Sequence, residues 1–309
     1  MTNDALRALI TAVRACQSSA TRFDNGGQFR VEIPSVEDPA VFAAVLDQAQ
    51  RDGVTVHRVS QGSGIALLTD AEIGEFVQLG QGNNIEVCLF VGPRAPWTGE
   101  SASALAPDGK FFGWRHMTSG TLTAAFDDVE RAVELGIRSV LVADEGLIAL
   151  INAARVAGTM PSNLVVKASA MLGISNPLGA RLLEVAGADS LNVPGDTTVP
   201  ELAGYRSVLR HVIDLYVEGP EALGGFSRYH DIGEIVRVAS PVYLKFGLRN
   251  TVNLYPSGRH LTEQAKTSGT ERVRRALIGM EHLSRQYPAA EMSPLGHGRG
   301  IPNATGRGA

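Results

Sequence analysis

The chain has 309 residues, of which 44% are hydrophobic and 19% charged, so it can bury a large core and is not globally disordered. Its formal net charge of −4 argues against a nucleic-acid-binding protein, which needs a basic face. The two cysteines are too few for a disulfide framework or a four-cysteine metal site. No apolar stretch reaches the ~18 residues of a membrane span and no signal peptide is evident, so we expect a cytoplasmic protein with no membrane partner.

The predicted elements begin with an amphipathic helix over 3–18, followed by a turn at 24–27. From there, short β-rich runs alternate with helical patterns, several of which end in the glycine of a helix C-cap. The clearest helical patterns cover 39–53, 69–81 and 125–136. The predicted strands are 30–34, 54–60, 85–91, 139–144, 164–169, 190–195, 212–218 and 241–247.

This alternation indicates the fold class. Strands that alternate with helices imply parallel crossovers, and eight such units predict a closed (β/α)8 TIM barrel in the α/β class. The alternative is a doubly wound open sheet, but no GxGxxG motif follows the first strand. We expect an N-terminal helix and lead-in over 1–27, the barrel over 28–288 and a flexible C-terminal tail over 289–309.

Two long connections interrupt the rhythm, at 92–120 after the third strand and at 248–268 after the eighth. Both follow strands, so both belong on the face where barrel enzymes bind substrate. Their large side chains are expected to be buried, either against the barrel mouth as lids or against another subunit of a homo-oligomer. These side chains are Trp97, Phe111, Phe112, Trp114, Tyr255 and His260.

Charged residues inside otherwise apolar strands are the most informative feature. A charge beneath the outer helices would be desolvated at a cost of several kcal/mol, so these side chains should point into the lumen near its C-terminal mouth. The alternative is a buried salt-bridge network inside the barrel. The charged residues are Glu32, Arg58, Asp144, Lys167, Glu218 and Lys245, and polar tips come from Asn192, Tyr216 and Tyr243.

Lys167 is the main candidate for catalysis. Desolvation lowers the pKa of a lysine in an apolar strand, which frees the amine to form a Schiff base or to abstract a proton. Lys245 competes for this role. Glu218 and Asp144 are the candidate proton carriers.

Glycine-rich loops after the second and seventh strands, at 60–64 and 218–226, could cradle an anion with backbone N–H groups. Arginine and lysine nearby would add positive charge. We therefore expect a small anionic substrate. The candidate substrate-binding residues are Glu32, Arg58, Gln61, Arg94, Asn192, Tyr216, Lys245 and Arg249.

A metal site is a further hypothesis. Carboxylates at the ends of several strands could meet on the barrel axis and hold Mg²⁺ or Mn²⁺, whereas no HxH or HExxH spacing supports zinc. The ligands would come from Glu32, Asp144, Glu145 and Glu218.

The arrangement from VPGDTTVPELAGYR through YVEGPEALGGFSRYHDIGEI to YLKFGLRN resembles the U32 family of peptidases, and the resemblance covers residues 120–250. The likeness lies in the order of elements after the sixth strand and in a Glu-Gly pair after the seventh. The family's HGA(L/M)C signature and its cluster-binding cysteines are absent. The resemblance implies hydrolase activity, and it carries over one residue, Glu218.

Three functions follow from these patterns. The first is a lyase or isomerase that acts on a small, oxygen-rich anionic metabolite through a strand lysine. The second is a U32-like hydrolase, and the third is a non-catalytic barrel that serves as a binding or assembly subunit. The expected partner is a small molecule, not a nucleic acid. The sequence is compatible with a homo-oligomer and does not determine the oligomeric state.

Overall fold

The computed structural model describes residues 16–92, 113–296 and 298–303. Within them, eight strands form a closed parallel barrel in which neighbours in sequence pair and the last strand pairs with the first, which confirms the predicted (β/α)8 fold. The strands are β1 (Phe29–Pro34), β2 (Arg58–Ser60), β3 (Glu86–Phe90), β4 (Ser139–Val142), β5 (Val165–Ala168), β6 (Ser190–Asn192), β7 (Val212–Glu218) and β8 (Val242–Phe246).

A helix follows every strand in the part of the chain that the structure describes. The helices are α1 (Pro39–Asp52), α2 (Asp70–Asn83), α3 (Ser119–Glu134), α4 (Glu145–Ala157), α5 (Pro177–Ala186), α6 (Val199–Val208), α7 (Ile232–Ala239) and α8 (Thr262–Gln286). None of the described helices is long and apolar enough to cross a bilayer.

Local sequence signals explain where these helices begin and end. Asp38 accepts a hydrogen bond from the Val41 N–H at the start of α1, and Gly53 ends that helix in the left-handed region at φ 65°. Thr69 and Glu72 form a capping box at the start of α2. β2 is shorter than the predicted 54–60 because the Val54 N–H still bonds to the last turn of α1.

The strand register sorts the inward side chains into layers, with odd and even strands alternating. The middle layer is Glu32, Cys88, Lys167 and Asp214. The layer nearer the C-terminal mouth is Ser60, Leu141, Asn192 and Lys245, and the layer nearer the N-terminal end is Arg58, Ser139, Ser190 and Tyr243. The outward side chains are apolar and pack under the helices.

The predicted connection over 248–268 ends earlier than expected, because helix α8 begins at Thr262 and runs without a break to Gln286. The helix lies close to α1, where a Cβ added to Gly269 would sit 3.0 Å from Val45. The small residues Ser268 and Gly269 thus allow the two helices to approach. The long connection after β8 is therefore shorter than predicted.

The segment after α8 differs from the flexible tail that we expected over 289–309. Residues 289–296 and 298–303 lie against the N-terminal end of the barrel, where Met292 pairs with Phe29 and the Asn303 N–H bonds to the Gly136 carbonyl. His57 accepts a hydrogen bond from the Val31 N–H at Nδ1, so its Nε2 carries the proton and donates it to the Ser293 carbonyl at 2.7 Å.

Of the predicted helix over 3–18, residues 3–15 lie outside the described residues and 16–18 are not helical; most of the 92–120 connection also lies outside the described residues. Arg94, Trp97, Phe111 and Phe112 belong to that part. Trp114 is described, and it packs edge-on against Phe90 at a ring distance of 6.2 Å. Since Phe90 ends β3 with its side chain toward the lumen, this end of the connection lies over the barrel mouth.

Candidate functional site

The middle of the lumen contains a network of ion pairs that solvent does not reach. The Lys167 ammonium contacts the Glu32 carboxylate directly and lies 3.5 Å from Asp214 Oδ1, and all three side chains are fully buried. Arg58 bridges the two acids from below, with Nη1 at 3.1 Å from Glu32 Oε2 and at 2.5 Å from Asp214 Oδ1. The structure thus contains the buried network that was the alternative interpretation of the strand charges.

Glu86 extends this network toward the N-terminal end of the barrel. Its carboxylate lies 2.9 Å from Arg58 Nε and accepts hydrogen bonds from Ser139 at 2.6 Å and from Tyr243 at 2.9 Å. The Arg58 guanidinium also lies 3.5 Å above the Tyr243 ring. Such a set of fixed partners holds the arginine in one position.

The network changes the pKa of its carboxyl groups. Burial would raise the pKa of Glu32, but the charges of Lys167, Lys245 and Arg58 outweigh it and hold that pKa well below 4.5. The pKa of Glu86 is lowered in the same way, against its burial, by Arg58. Both side chains are therefore carboxylates at neutral pH.

Lys245 lies one layer closer to the mouth. Its Nζ donates to Asn192 Oδ1 at 2.6 Å, stands 3.6 Å from Glu32 Oε1 and sits 4.1 Å from the centre of the Tyr216 ring. Tyr216 and Leu141, which point into the upper lumen, are only half-buried. A small molecule that enters between them would meet Lys245 before any other lumen lysine.

The rim beside β1, β2 and β8 is held by buried hydrogen bonds. The Glu37 carboxylate accepts from the Gly62 N–H, the Ser63 N–H and the Ser63 hydroxyl. Tyr255, from the connection after β8, contacts the Ser35 hydroxyl through its own hydroxyl group. A Cβ on Gly62 would lie 2.5 Å from the Tyr255 ring, so the glycine-rich loop at 60–64 serves to seat this tyrosine.

Arg272 is the unusual residue of this rim. It lies on α8, only 2% exposed, and its Nε and Nη1 are buried without a hydrogen-bond partner among the described residues. Burial lowers its pKa, while the neighbouring Tyr255, Glu37, Tyr216 and Glu218 raise it. Leaving the donors of a buried guanidinium unpaired costs free energy, and an anionic acceptor placed next to them would remove that cost.

Glu218 does not join Lys167, contrary to our expectation. A register shift between Tyr216 and Glu218 turns the carboxylate away from the lumen axis. It accepts a hydrogen bond from the Tyr229 hydroxyl at 2.7 Å and lies 3.8 Å from Arg275 of α8. Glu218 therefore belongs to the rim near Arg272.

The structure also keeps other predicted residues apart from the lumen lysines. Asp144 caps α4 and accepts from the Leu147 and His116 N–H groups, so it anchors the end of the 92–120 connection. Gln61 braces its own loop through Gly64. Arg249 is exposed and pairs with Glu221 at 3.2 Å.

The four carboxylates proposed as metal ligands do not form one site. Glu32 lies in the middle layer, Glu218 at the rim, and Asp144 and Glu145 at the start of α4, where Glu145 pairs with Arg115. In residues 16–92, 113–296 and 298–303, no three His, Cys, Asp or Glu side chains are grouped to hold a metal ion. Binding of Mg²⁺ or Mn²⁺ by fewer side chains stays a prediction.

Sequence reasoning missed Arg272, and one signal could have found it. The buried positions of α8 recur at helical spacing and are otherwise small or apolar, except for this arginine. A buried arginine on such a helix face needs a polar partner, either from the protein or from a ligand.

No family model matches the chain, and no curated protein matches it. A similar fold occurs in a proposed fructose-1,6-biphosphate aldolase from Coccidioides immitis, with 11% identity and a TM-score of 0.51 over 84% of this chain and 92% of that one. A U32 peptidase has 15% identity and a TM-score of 0.42 over 77% and 97% of the two chains. A proposed lyase/mutase from Burkholderia cenocepacia J2315 has 14% identity and a TM-score of 0.43 over 91% of this chain and 88% of that one. At these identities only the barrel fold is shared.

Proposed function

We propose that this chain is a barrel enzyme that binds a small anionic, oxygen-rich metabolite at the C-terminal mouth and acts as a lyase or isomerase. The observation that carries the proposal is the buried Arg272, whose Nε and Nη1 find no acceptor among the described residues. A carboxylate or phosphate group of the substrate would supply that acceptor, in the bidentate form that arginine favours.

The reacting lysine in this proposal is Lys245 rather than Lys167. Lys167 is held between two carboxylates and has no exposed surface, so a substrate has no access to its amine. Lys245 has a neutral acceptor, Asn192, as its nearest hydrogen-bond partner, and it lies against Tyr216 at the half-open part of the lumen. An amine there can form an imine or move a proton once the substrate displaces water.

Two other groups have roles in the same scheme. Burial raises the pKa of Tyr216, so its hydroxyl stays protonated at neutral pH and can donate to a developing oxyanion. Glu32 is a positioning residue, because it accepts from Ser60 and lies between Lys167 and Lys245. Glu37 and Glu218 are the two carboxylates whose charges act on Arg272 at the proposed anion site, Glu37 more strongly.

The first experiment tests the anion site. A library of small carboxylates and phosphate esters is screened for stabilisation of the protein in thermal unfolding, since a ligand of the folded state raises the melting temperature. The variant Arg272→Met should lose the response. Its matched control is Arg274→Met on the same helix, 59% exposed, which should keep it. Equal responses from both variants would refute the site.

The second experiment separates the reaction classes. Compounds that bind are incubated with borohydride, and the protein is examined by intact mass and peptide mapping. A reduced adduct on Lys245 supports an imine mechanism. If the wild-type protein turns a compound over without forming an adduct, and Lys245→Met abolishes that turnover, the result supports proton transfer. Hydrolysis that survives Lys245→Met would favour the hydrolase. Binding without turnover of any compound would favour the non-catalytic barrel.

A further inference from the structure

A cavity lies at the opposite end of the barrel, at the N-terminal ends of the strands. Its volume is about 620 Å³, within the range of small-molecule sites. The first residues of several strands line it, including Arg58, Glu86 and Ser190. Barrel enzymes carry their reacting groups at the other end, so the proposed function leaves this cavity without a role.

The charge of the cavity is positive. The described lining residues include three carboxylates, Asp24, Glu86 and Asp189, and a larger set of five arginines. Glu86 is already bonded to Ser139 and Tyr243, and Asp189 pairs with Arg155 and Arg299. The arginines are Arg22, Arg30, Arg58, Arg210 and Arg299.

Glu86 and Asp189 thus have cationic partners within the protein, whereas one exposed cation of the cavity has no anionic partner among the described residues. The Arg210 side chain is exposed and makes no hydrogen bond or ion pair with any residue that the structure describes; only its backbone N–H is used, by Glu184. His211 beside it also lines the cavity and donates from Nδ1 to the Ala188 carbonyl at 2.9 Å, since a carbonyl oxygen only accepts. A free arginine at the edge of a basic cavity attracts an anion.

The inner wall of the cavity is rigid. Phe23 and Tyr243 pack edge to face at 5.8 Å, and the Arg30 guanidinium lies 4.1 Å above the Phe23 ring. Arg58 is fixed from the lumen by its ion pairs with Glu32, Glu86 and Asp214. Guanidinium groups that are held in place before binding lose little freedom when an anion arrives.

The C-terminal segment completes the cavity. Gly298, Arg299 and Gly300 form one side, opposite residues 22–25 from the start of the described chain. Arg299 is held by Asp189 at 3.1 Å and by the Ser162 carbonyl at 2.8 Å. Two distant parts of the chain therefore meet to enclose a basic space.

We propose that this cavity binds a small molecule that carries two or more negative charges on phosphate groups. Arginine forks match the geometry of phosphate oxygens, and two of the lining arginines, Arg22 and Arg210, form no ion pair with any residue that the structure describes, which favours a ligand with two negative charges. The site is separate from the one at the C-terminal mouth and does not depend on the reaction proposed there.

Isothermal titration at constant ionic strength tests this proposal, with pyrophosphate and inorganic phosphate as the probes. At the N-terminal cavity, pyrophosphate should bind more tightly than phosphate, and Arg210→Gln should weaken this binding roughly tenfold or more. Arg272→Met at the other end and the exposed Arg274→Gln on α8 are the controls, and neither should change the affinity.

Three results would overturn the proposal. The first is unchanged binding by Arg210→Gln. The second is loss of binding by Arg272→Met while Arg210→Gln still binds. The third is the absence of saturable binding of either probe below about 1 mM. A double variant, Arg22→Gln with Arg210→Gln, guards against compensation by a neighbour, and circular dichroism shows that each variant is folded. None of these readouts requires catalytic activity, so failure here leaves the proposed function untouched.

Discussion

At the scale of single residues, the lumen ion pairs have the largest consequences. Lys167, Glu32 and Asp214 have lost all contact with water, and each charge is tolerated only because its partners replace that water. Removal of one partner leaves the others buried and uncompensated. The same reasoning makes Arg272, with its open donors, the place where a ligand would stabilise the protein.

Lys167→Met tests whether this lysine acts as a structural partner. We expect the free energy of unfolding in urea to fall by about 3–5 kcal/mol, because the carboxylates of Glu32 and Asp214 would lose a buried counter-charge. Lys266→Met removes a half-exposed lysine paired with Glu263 and should change the value by less than about 1 kcal/mol. A Lys167→Met protein with normal stability and no turnover would show that Lys167 serves catalysis instead.

His57 makes stability depend on pH. Burial lowers its pKa from 6.5 to about 4 in the folded protein. Below pH 6.5 the unfolded chain takes up a proton at this residue and the folded protein does not, so stability is lost as the pH falls from 6.5 to about 4. A shift of this size corresponds to about 3 kcal/mol.

Urea unfolding across this pH range measures the effect, and His57→Gln should flatten the curve. The C2 proton of His57 in an NMR titration gives an independent reading of the folded-state pKa. A resonance that titrates near pH 6.5 would contradict the predicted loss of stability.

At the scale of elements, the C-terminal segment and α8 act as parts of the barrel rather than as additions to it. The segment supplies the acceptor for His57 Nε2 and closes the N-terminal end, while α8 brings Arg272 to the rim. Both depend on close approach of backbone to side chain. A Cβ added to Gly300 would lie 2.7 Å from the Glu86 side chain, which its partners hold in place.

Gly300→Ala should therefore destabilise the protein by about 1–3 kcal/mol, because neither the docked segment nor Glu86 can move aside without breaking contacts. The matched control is Gly82→Ala in α2, where an added Cβ meets nothing within 4 Å. That change should be neutral or stabilise by up to about 1 kcal/mol, since alanine favours the helix. Thermal and urea unfolding measure both, and equal effects would contradict the docking of the segment.

At the scale of the whole molecule, the barrel is a closed core whose two ends differ. At the C-terminal end, Tyr216 and Leu141 near Lys245 are only half-buried, and the N-terminal end holds a basic cavity lined in part by Gly298, Arg299 and Gly300. Between them, the carboxylates of the lumen join strands that are far apart in sequence, such as β1 with β5. The ion pairs therefore link the stability of the barrel as a whole to the ionisation of these groups.

Acid should unfold the protein steeply once the pH falls below about 4.5. The pKa values of Glu32 and Glu86 lie below 4.5 in the folded state, so the unfolded chain takes up these protons first and stability is lost as the pH falls. Urea unfolding at about pH 5, 4 and 3 measures the slope. Glu86→Gln should reduce the slope, and Glu130→Gln on the surface of α3 should not. A stability that is constant over this range would refute the lowered pKa values.

The sequence by itself determined the barrel. Alternating β-rich and helical segments set eight crossovers, and the desolvation cost of a charge under the helices directed Glu32, Arg58, Lys167 and Lys245 into the lumen. Both inferences rest on neighbours along the chain, where periodicity is visible. The expectation that all these charges lie open at the mouth was wrong for Glu32, Arg58 and Lys167.

Only the tertiary structure decided how these residues meet. The level of each side chain depends on the register of the closed barrel, which places Lys167 between two acids and Lys245 nearer the mouth. A register shift in β7 took Glu218 to the rim, and the close packing of α8 on α1 buried Arg272. These outcomes come from contacts between residues far apart in sequence, so no local pattern could encode them.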